Sequence, residues 1–220
     1  MPHFQGQNTY LGKQCHSAHY QGPEAYKGKR VLVIGGGNSG AQIVSELAYT
    51  VRVSWVTREA PLFLPDDVDG RVLFERATAR ITANGADTPV GGIGDIVMIP
   101  TVKNAYDKGQ LNTVSMFERF TEHGVVWPDG SQEDIDAIIW CTGFKPELRH
   151  LAQLNVIESD DTVKVVHGQS IKEPRLWLFG YGDWASPGSA TLIGSGRSAR
   201  ENVPKLVEFL KSTHPNIGRQ

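Results

Sequence analysis

From Val31 to Ile34 the chain is wholly apolar, a short run that suits a central parallel strand buried on both faces. Gly35 to Gly40 is a glycine turn, and beyond it Ala41, Val44, Leu47 and Ala48 recur at helical spacing, with Ser45 and Glu46 between them. Val51 to Val56 is a second β-branched run. Strand, glycine turn, helix and strand in about thirty residues predict one βαβ unit.

The flanks carry weaker patterns. Residues 1–29 are polar and rich in turn formers (Gly6, Gly12, Gly22, Pro23, Gly28) with no sustained period, and are expected to be a lead-in segment or linker. Arg71 to Ile81 is predicted as a helix and Asn84 to Gly94 as a loop. Val125–Trp127 and Ile135–Trp140 are predicted as two strands around the turn Pro128-Asp129-Gly130. Leu176 to Phe179 is predicted as a short strand. Between Thr191 and Lys211, the residues Ala199, Val203, Leu206, Val207 and Leu210 make a helical stripe, expected to break or kink at Pro204. The predicted organisation is an α/β, Rossmann-like domain over 30–143, centred on a parallel sheet, and a smaller C-terminal segment over 144–220.

Composition narrows the partners. The 220 residues leave ample length for a buried core. A net charge of −2 gives no electrostatic case for nucleic acid or an anionic membrane. No apolar run approaches the roughly 20 residues that span a bilayer. MPHFQGQNTY has neither a basic nor an apolar region of the kind that opens a secretory signal. Cys15 and Cys141 make neither a disulfide framework nor a metal cluster, and are expected to be free thiols of a cytoplasmic protein.

Gly35-Gly36-Gly37-Asn38-Ser39-Gly40 fits G-x-G-x-x-G. A bare match is weak, and the chain makes the point itself: Gly180 to Ala185 and Gly194 to Ala199 both fit the relaxed form ending in alanine. Only the first match has a buried strand before it, an amphipathic helix after it and a second strand closing the unit. There Gly35 allows the tight turn, Gly37 lets backbone approach a pyrophosphate, and Gly40 lets helix and strand pack closely. The helix N-terminus meets the negative charge, with Asn38 and Ser39 expected to add side-chain donors. An acidic residue about 20 residues on would favour NAD. The second strand ends instead at Val56-Thr57-Arg58, and a guanidinium suits a 2′-phosphate. NADP(H) is therefore the favoured nucleotide, with Glu59 close enough to keep NAD open.

Beside this unit, Tyr10-x-Gly12-x-x-x-His16-x-x-x-Tyr20 resembles the F-x-G-x-x-x-H-x-x-x-(W/P) signature of flavin-containing monooxygenases and Baeyer–Villiger enzymes, with Tyr in place of Phe and of Trp or Pro. Ile138-Ile139-Trp140-Cys141-Thr142-Gly143-Phe144 is similar to the strand and A-T-G-(Y/F) element that ends their NADPH domain, and Gly180-Tyr181-Gly182-Asp183 to the Gly-Asp element of two-dinucleotide-binding flavoproteins. Over nearly the whole chain, HSAHY, GGGNSGAQI, LPDDVDGRVLFERAT, GDIVMIP, IIWCTGFKP and GYGDW followed by ATLIGSGRSAR resemble the flavin monooxygenases of arsenic-resistance operons.

The resemblance implies NADP(H) at Gly35, Gly37, Asn38, Ser39, Gly40, Thr57 and Arg58, with Thr142 and Gly143 near the same crevice. It implies a structural role for His16, while Cys141, a small residue where Ala is usual, is expected to serve packing and not as a redox thiol. It makes 144–220 the C-terminal remnant of an FAD-binding domain, with Gly182, Asp183 and Thr191 facing FAD only where a flavin site is completed. A complete member opens with its own strand and glycine fingerprint for FAD, and nothing ahead of Val31 has that form. The chain is accordingly expected to be the NADP(H)-binding portion of a flavin-dependent monooxygenase, inactive without an FAD-binding half. The C-terminal segment is expected to expose apolar surface that a homodimer partner or a second chain covers. A stand-alone NADP(H)-binding or redox-sensing module is the competing reading. No catalytic residue stands out.

Overall fold

The computed structural model describes residues 3–68, 72, 95–186 and 188–213. They form two units, one of residues 3–68 and 95–143, the other of 72 and the residues from 144 onward. Apart from Val72, the helix expected over 71–81 and the loop expected over 84–94 lie outside the described residues.

The first unit is α/β, built on five parallel strands: β1 (Lys13–His16), β2 (Arg30–Ile34), β3 (Arg52–Val56), β4 (Thr113–Val114) and β8 (Ala137–Trp140). Their order across the sheet is β1-β8-β2-β3-β4, so the apolar run 31–34 sits in the middle strand. Both of its faces are covered, which is why it shows no alternation. On one side Val31 and Val33 pack with Trp55 and Ile139 against α1 (Asn38–Leu47) and α2 (Pro100–Asp107), through Ala41, Val44, Leu47, Val102 and Ala105. On the other, Leu32, Ile34, Val56, Ile138 and Trp140 meet an aromatic layer of Phe4, Tyr10, Phe117 and Phe120. Phe117 and Phe120 meet edge to face at 4.9 Å between centroids. That layer rests on a small antiparallel sheet, β5 (Arg119–Phe120), β6 (Gly124–Val126) and β7 (Gln132–Asp134).

Two expectations change here. The segment 1–29 is more than a linker. It supplies β1, which pairs in register with Ala137–Trp140, and it places Phe4, Tyr10 and Tyr26 in the core. Lys-Gln-Cys-His is a polar edge strand, and its pairing partner rather than its own pattern makes it a strand. The hairpin also differs from expectation. Ile135–Trp140 does not return against 125–127. The polar stretch Gln132–Asp134 does so, and β8 inserts between β1 and β2. Residues 137–140 are all buried, and a central parallel position covers both of their faces as a hairpin edge would not.

The second unit has its own core of Leu148, Leu151, Val156, Val163 and Leu178 beside the two-residue antiparallel pair β9 (Val165–Val166) and β10 (Gln169–Ser170). Leu176–Phe179 is not a strand; it makes a single bridge, Trp177 to Gln169, with Leu178 buried and its neighbours half-buried. The long helix α3 (Leu192–Thr213) runs unbroken through Pro204. Its buried residues are the small and polar Gly194, Ser198 and Asn202, while Leu192, Ile193, Val203, Val207 and Leu210 are exposed. Of the apolar surface expected on the C-terminal segment, that on the terminal helix is therefore present, whereas 176–179 is largely sheltered.

Candidate functional site

The strand order reverses beside β2. From β2 the chain crosses through α1 to β3 on one side, and β8 lies on the other. The crevice at the carboxyl ends of β2 and β8 is where open parallel sheets take ligands. Gly35–Gly40 follows β2 and Cys141–Gly143 follows β8, so the switch point is bounded by the fingerprint and by Thr142 and Gly143.

The turn is tightly specified. Gly35 has φ 131°, its N–H donates to the Val56 carbonyl at 2.9 Å, and a Cβ there would stand 2.1 Å from the Cys141 carbonyl oxygen. A Cβ on Gly40 would stand 2.1 Å from the Gly35 carbonyl oxygen. That oxygen instead accepts a hydrogen bond from the indole Nε1 of Trp55 at 2.8 Å. Gly37 caps α1 in an extended conformation, and the first helical bond is Ala41 N–H to the Gly37 carbonyl. The amides of Asn38, Ser39 and Gly40 therefore have no acceptor among the described residues. Three N–H groups without an acceptor among the described residues, at the positive end of a helix dipole, are suited to an anion.

The side chains divide differently from the expectation. Asn38 does not offer its amide group to the crevice: Nδ2 donates to the Asp95 carbonyl at 2.6 Å and Oδ1 accepts from the Val97 N–H at 2.9 Å. It clamps the segment leading into α2, leaving its backbone N–H to the site. Ser39 is exposed. Thr57 is buried at the end of β3, its N–H bonded to the Val114 carbonyl at 3.1 Å and its Cγ2 facing Gly36. Arg58, the next residue, is exposed and makes no ion pair among the described residues.

Across the crevice Thr142 is exposed, and Gly143 holds φ 78°. The Gly143 carbonyl is tied by His16. The Ala18 N–H donates to Nδ1 of His16 at 3.2 Å, so the proton resides on Nε2, which donates to Gly143 O at 2.9 Å. Both imidazole nitrogens are thus occupied. Among the described residues no three His, Cys, Asp or Glu side chains gather as metal ligands. No helix among them is long and apolar enough to cross a membrane.

This arrangement has known counterparts. The profile of the Flavin-binding monooxygenase-like (FMO-like) family matches residues 1–64, a span that holds both the Tyr10–Tyr20 motif and the fingerprint turn. A flavin-containing monooxygenase from Stenotrophomonas maltophilia has 43% sequence identity and superimposes with a TM-score of 0.82, over 95% of this chain and 58% of that one. The chain belongs to the flavin-binding monooxygenase-like family. Other members are similar at lower identity. Senecionine N-oxygenase of Tyria jacobaeae is 30% identical over 82% of this chain and 33% of its own length. Flavin-containing monooxygenase 5 of Cavia porcellus is 29% identical over 74% and 35%. The chain thus spans about a third of these two curated relatives.

The structure gives the FMO-like motif a physical content that is entirely architectural. Tyr10 is buried and its hydroxyl donates to the Ile135 carbonyl at 2.9 Å; burial, with Asp136 nearby, pushes the phenol's pKa up. Gly12 is a glycine because the Tyr10 ring folds over it, where a Cβ would stand 2.1 Å from the phenol oxygen. His16 pins the end of β8, and Tyr20 stacks on Tyr26 while donating to Glu46 on α1 at 3.1 Å. None of the four carries a group poised for chemistry.

Cys141 lies beyond the end of β8, and burial pushes its thiol up to about 12, with Cys15 on the neighbouring strand adding to the shift. Both thiols are free and pack against the helical-side core, in keeping with a packing role.

In the second unit Gly182, Asp183 and Thr191 come together within one turn, bonded mainly to that turn itself. Asp183 Oδ1 accepts from the Gly188 N–H at 2.8 Å, and Ser189 Oγ bridges the N–H and carbonyl of Gly182. Thr191 Oγ1 accepts from the Gly194 N–H at 3.1 Å, at the start of α3. The glycine-rich match at 194–199 is helix interior, where Gly194 packs so closely on Gly188 that a Cβ would meet its carbonyl oxygen at 1.9 Å. The one side chain that sequence reasoning passed over is Trp55. Its signal was an aromatic N–H in the strand facing the fingerprint, where a buried indole needs an acceptor.

Proposed function

We propose that this chain is the NADP(H)-binding portion of a flavin-dependent monooxygenase, an oxidoreductase completed by an FAD-binding half. The observation that carries the reading is the row of amides at 38–40 that have no acceptor among the described residues, flanked by the exposed guanidinium of Arg58, which makes no ion pair among them and lies two residues past β3. The Asn38–Gly40 amides would hold the diphosphate, Gly37 would let it approach, and Arg58 with Thr57 would hold the 2′-phosphate. Thr142 and Gly143 wall the opposite side of the crevice. Bound NADPH supplies a hydride; the chain's residues bind and orient it.

FAD is assigned no step through Gly182, Asp183 or Thr191, whose hydrogen-bonding groups largely serve their own turn. In this reading the FAD-binding half, or a second copy of the chain, covers the exposed Leu192, Val203, Val207 and Leu210 of α3. Within the family we place the chain beside the flavin monooxygenases of arsenic-resistance operons, on the stretches quoted above, as a cytoplasmic protein. The self-bonded turn of the second unit favours one alternative, a stand-alone NADP(H)-binding module without flavin chemistry.

The test is Arg58→Asp measured with both nicotinamide nucleotides. NADPH affinity falls at least tenfold while NADH affinity changes little; equal losses reject the 2′-phosphate role. A yellow purified protein carrying flavin absorbance would exclude the alternative.

A further inference from the structure

We propose that Trp55 is a positioning residue for the diphosphate turn: its indole fixes the peptide between Gly35 and Gly36 so that the Gly36 N–H faces the crevice. The proposal rests on the nucleotide reading above and adds a residue to it.

The peptide 35–36 joins two glycines, so its plane rotates at little steric cost. A trans peptide holds its C=O and N–H on opposite sides. Whichever group is anchored therefore aims the other. Here the carbonyl is anchored inward, accepting from Trp55 Nε1 at 2.8 Å. The Gly36 N–H points the opposite way and has no acceptor among the described residues. With the plane reversed, a carbonyl oxygen would face the anion in place of a donor.

Three features hold the indole in place. Trp55 is 1% exposed, so its N–H has no water to bond. Its ring meets Phe63 edge-on at 6.3 Å. Gly40 leaves the space, since a Cβ there would stand 3.0 Å from Nε1 as well as 2.1 Å from the Gly35 oxygen. The third glycine of the fingerprint thus serves the Trp55 bond in addition to helix packing.

The test compares the unaltered chain with Trp55→Phe, which keeps an aromatic ring and removes the donor. The ligands are NADPH and adenosine 2′-monophosphate, which engages the Arg58 end and has no diphosphate. Loss of one oriented donor weakens NADPH binding roughly five- to tenfold, and 2′-monophosphate binding stays within twofold. Unchanged NADPH binding by Trp55→Phe overturns the role of Trp55 and leaves the nucleotide reading standing. Equal losses for both ligands also overturn it, because they report general loosening. Failure of the unaltered chain to bind NADPH overturns the nucleotide reading and this role with it. Should Trp55→Phe not fold, solvent exchange of the Trp55 indole proton in the unaltered chain decides. The proposal requires that exchange to slow on saturation with NADPH and not with adenosine 2′-monophosphate; no slowing with NADPH overturns it.

Discussion

Replacing Asn38 by alanine separates two roles that the same residue could have at a fingerprint turn. The side chain holds Asp95 and Val97 through bonds of 2.6 and 2.9 Å. Its loss leaves the Val97 N–H without that acceptor in a half-buried position, where an unmade bond costs about 1–3 kcal/mol and water recovers part of it. The second bond contributes about 1 kcal/mol net. The sum is about 2 kcal/mol, or about 4–8 °C in melting temperature for a chain of this size. Urea denaturation and calorimetry of Asn38→Ala should show that loss, while NADPH affinity stays within about threefold because the backbone amide remains. Unchanged stability with a tenfold loss of NADPH affinity would refute the reasoning and put the side chain on the diphosphate.

Three further outcomes follow from other contacts. Tyr10→Phe removes the buried bond to the Ile135 carbonyl and should cost about 1–2 kcal/mol in urea denaturation with no effect on nucleotide affinity; a cost near zero would mean water reaches that carbonyl. Thr191→Ala removes the acceptor for the Gly194 N–H and should cost about 1 kcal/mol, read as faster amide exchange in the first turn of α3. The Cys141 thiol, raised from 9.0 to about 12, should react with iodoacetamide at pH 8 roughly a thousandfold more slowly in the native chain than in the unfolded one; equal rates would contradict its burial. Because folding favours the neutral thiol, its contribution to stability is full below pH 9 and lost as pH rises toward 12.

How far the fold could be read in advance depended on what covers each element. β2, α1 and β3 bury whole faces within a continuous stretch, so their periods survive in the sequence. β1 takes its identity from a partner more than 120 residues away, and Lys13–His16 carries no period that local reading detects. α2 has only Val102 and Ala105 buried in eight residues, too few for a stripe. β8 was found but assigned to a hairpin, because a turn 128–130 lies nearby and an apolar run does not disclose which neighbour it pairs with.

The site divides in the same way. Gly35 and Gly40 were readable because a Cβ at either would collide with backbone, and only glycine satisfies that. The exposed position of Arg58 was readable from its place after a strand. The use of Asn38 was not, since an exposed donor and a loop clamp look identical in sequence and differ only in what segment 95–97 brings beside it. On α3 the stripe at 203, 207 and 210 predicted a helix correctly and could not say that the opposite face, Gly194, Ser198 and Asn202, would be the buried one.

The central claim is that the Asn38–Gly40 amides at the start of α1 hold a dinucleotide's diphosphate. Calorimetric titration of the 220-residue chain with NADPH tests it most directly. The account predicts a saturable one-to-one isotherm in the micromolar range, at least tenfold tighter than for NADH. No saturation by either nucleotide at millimolar concentration would contradict it.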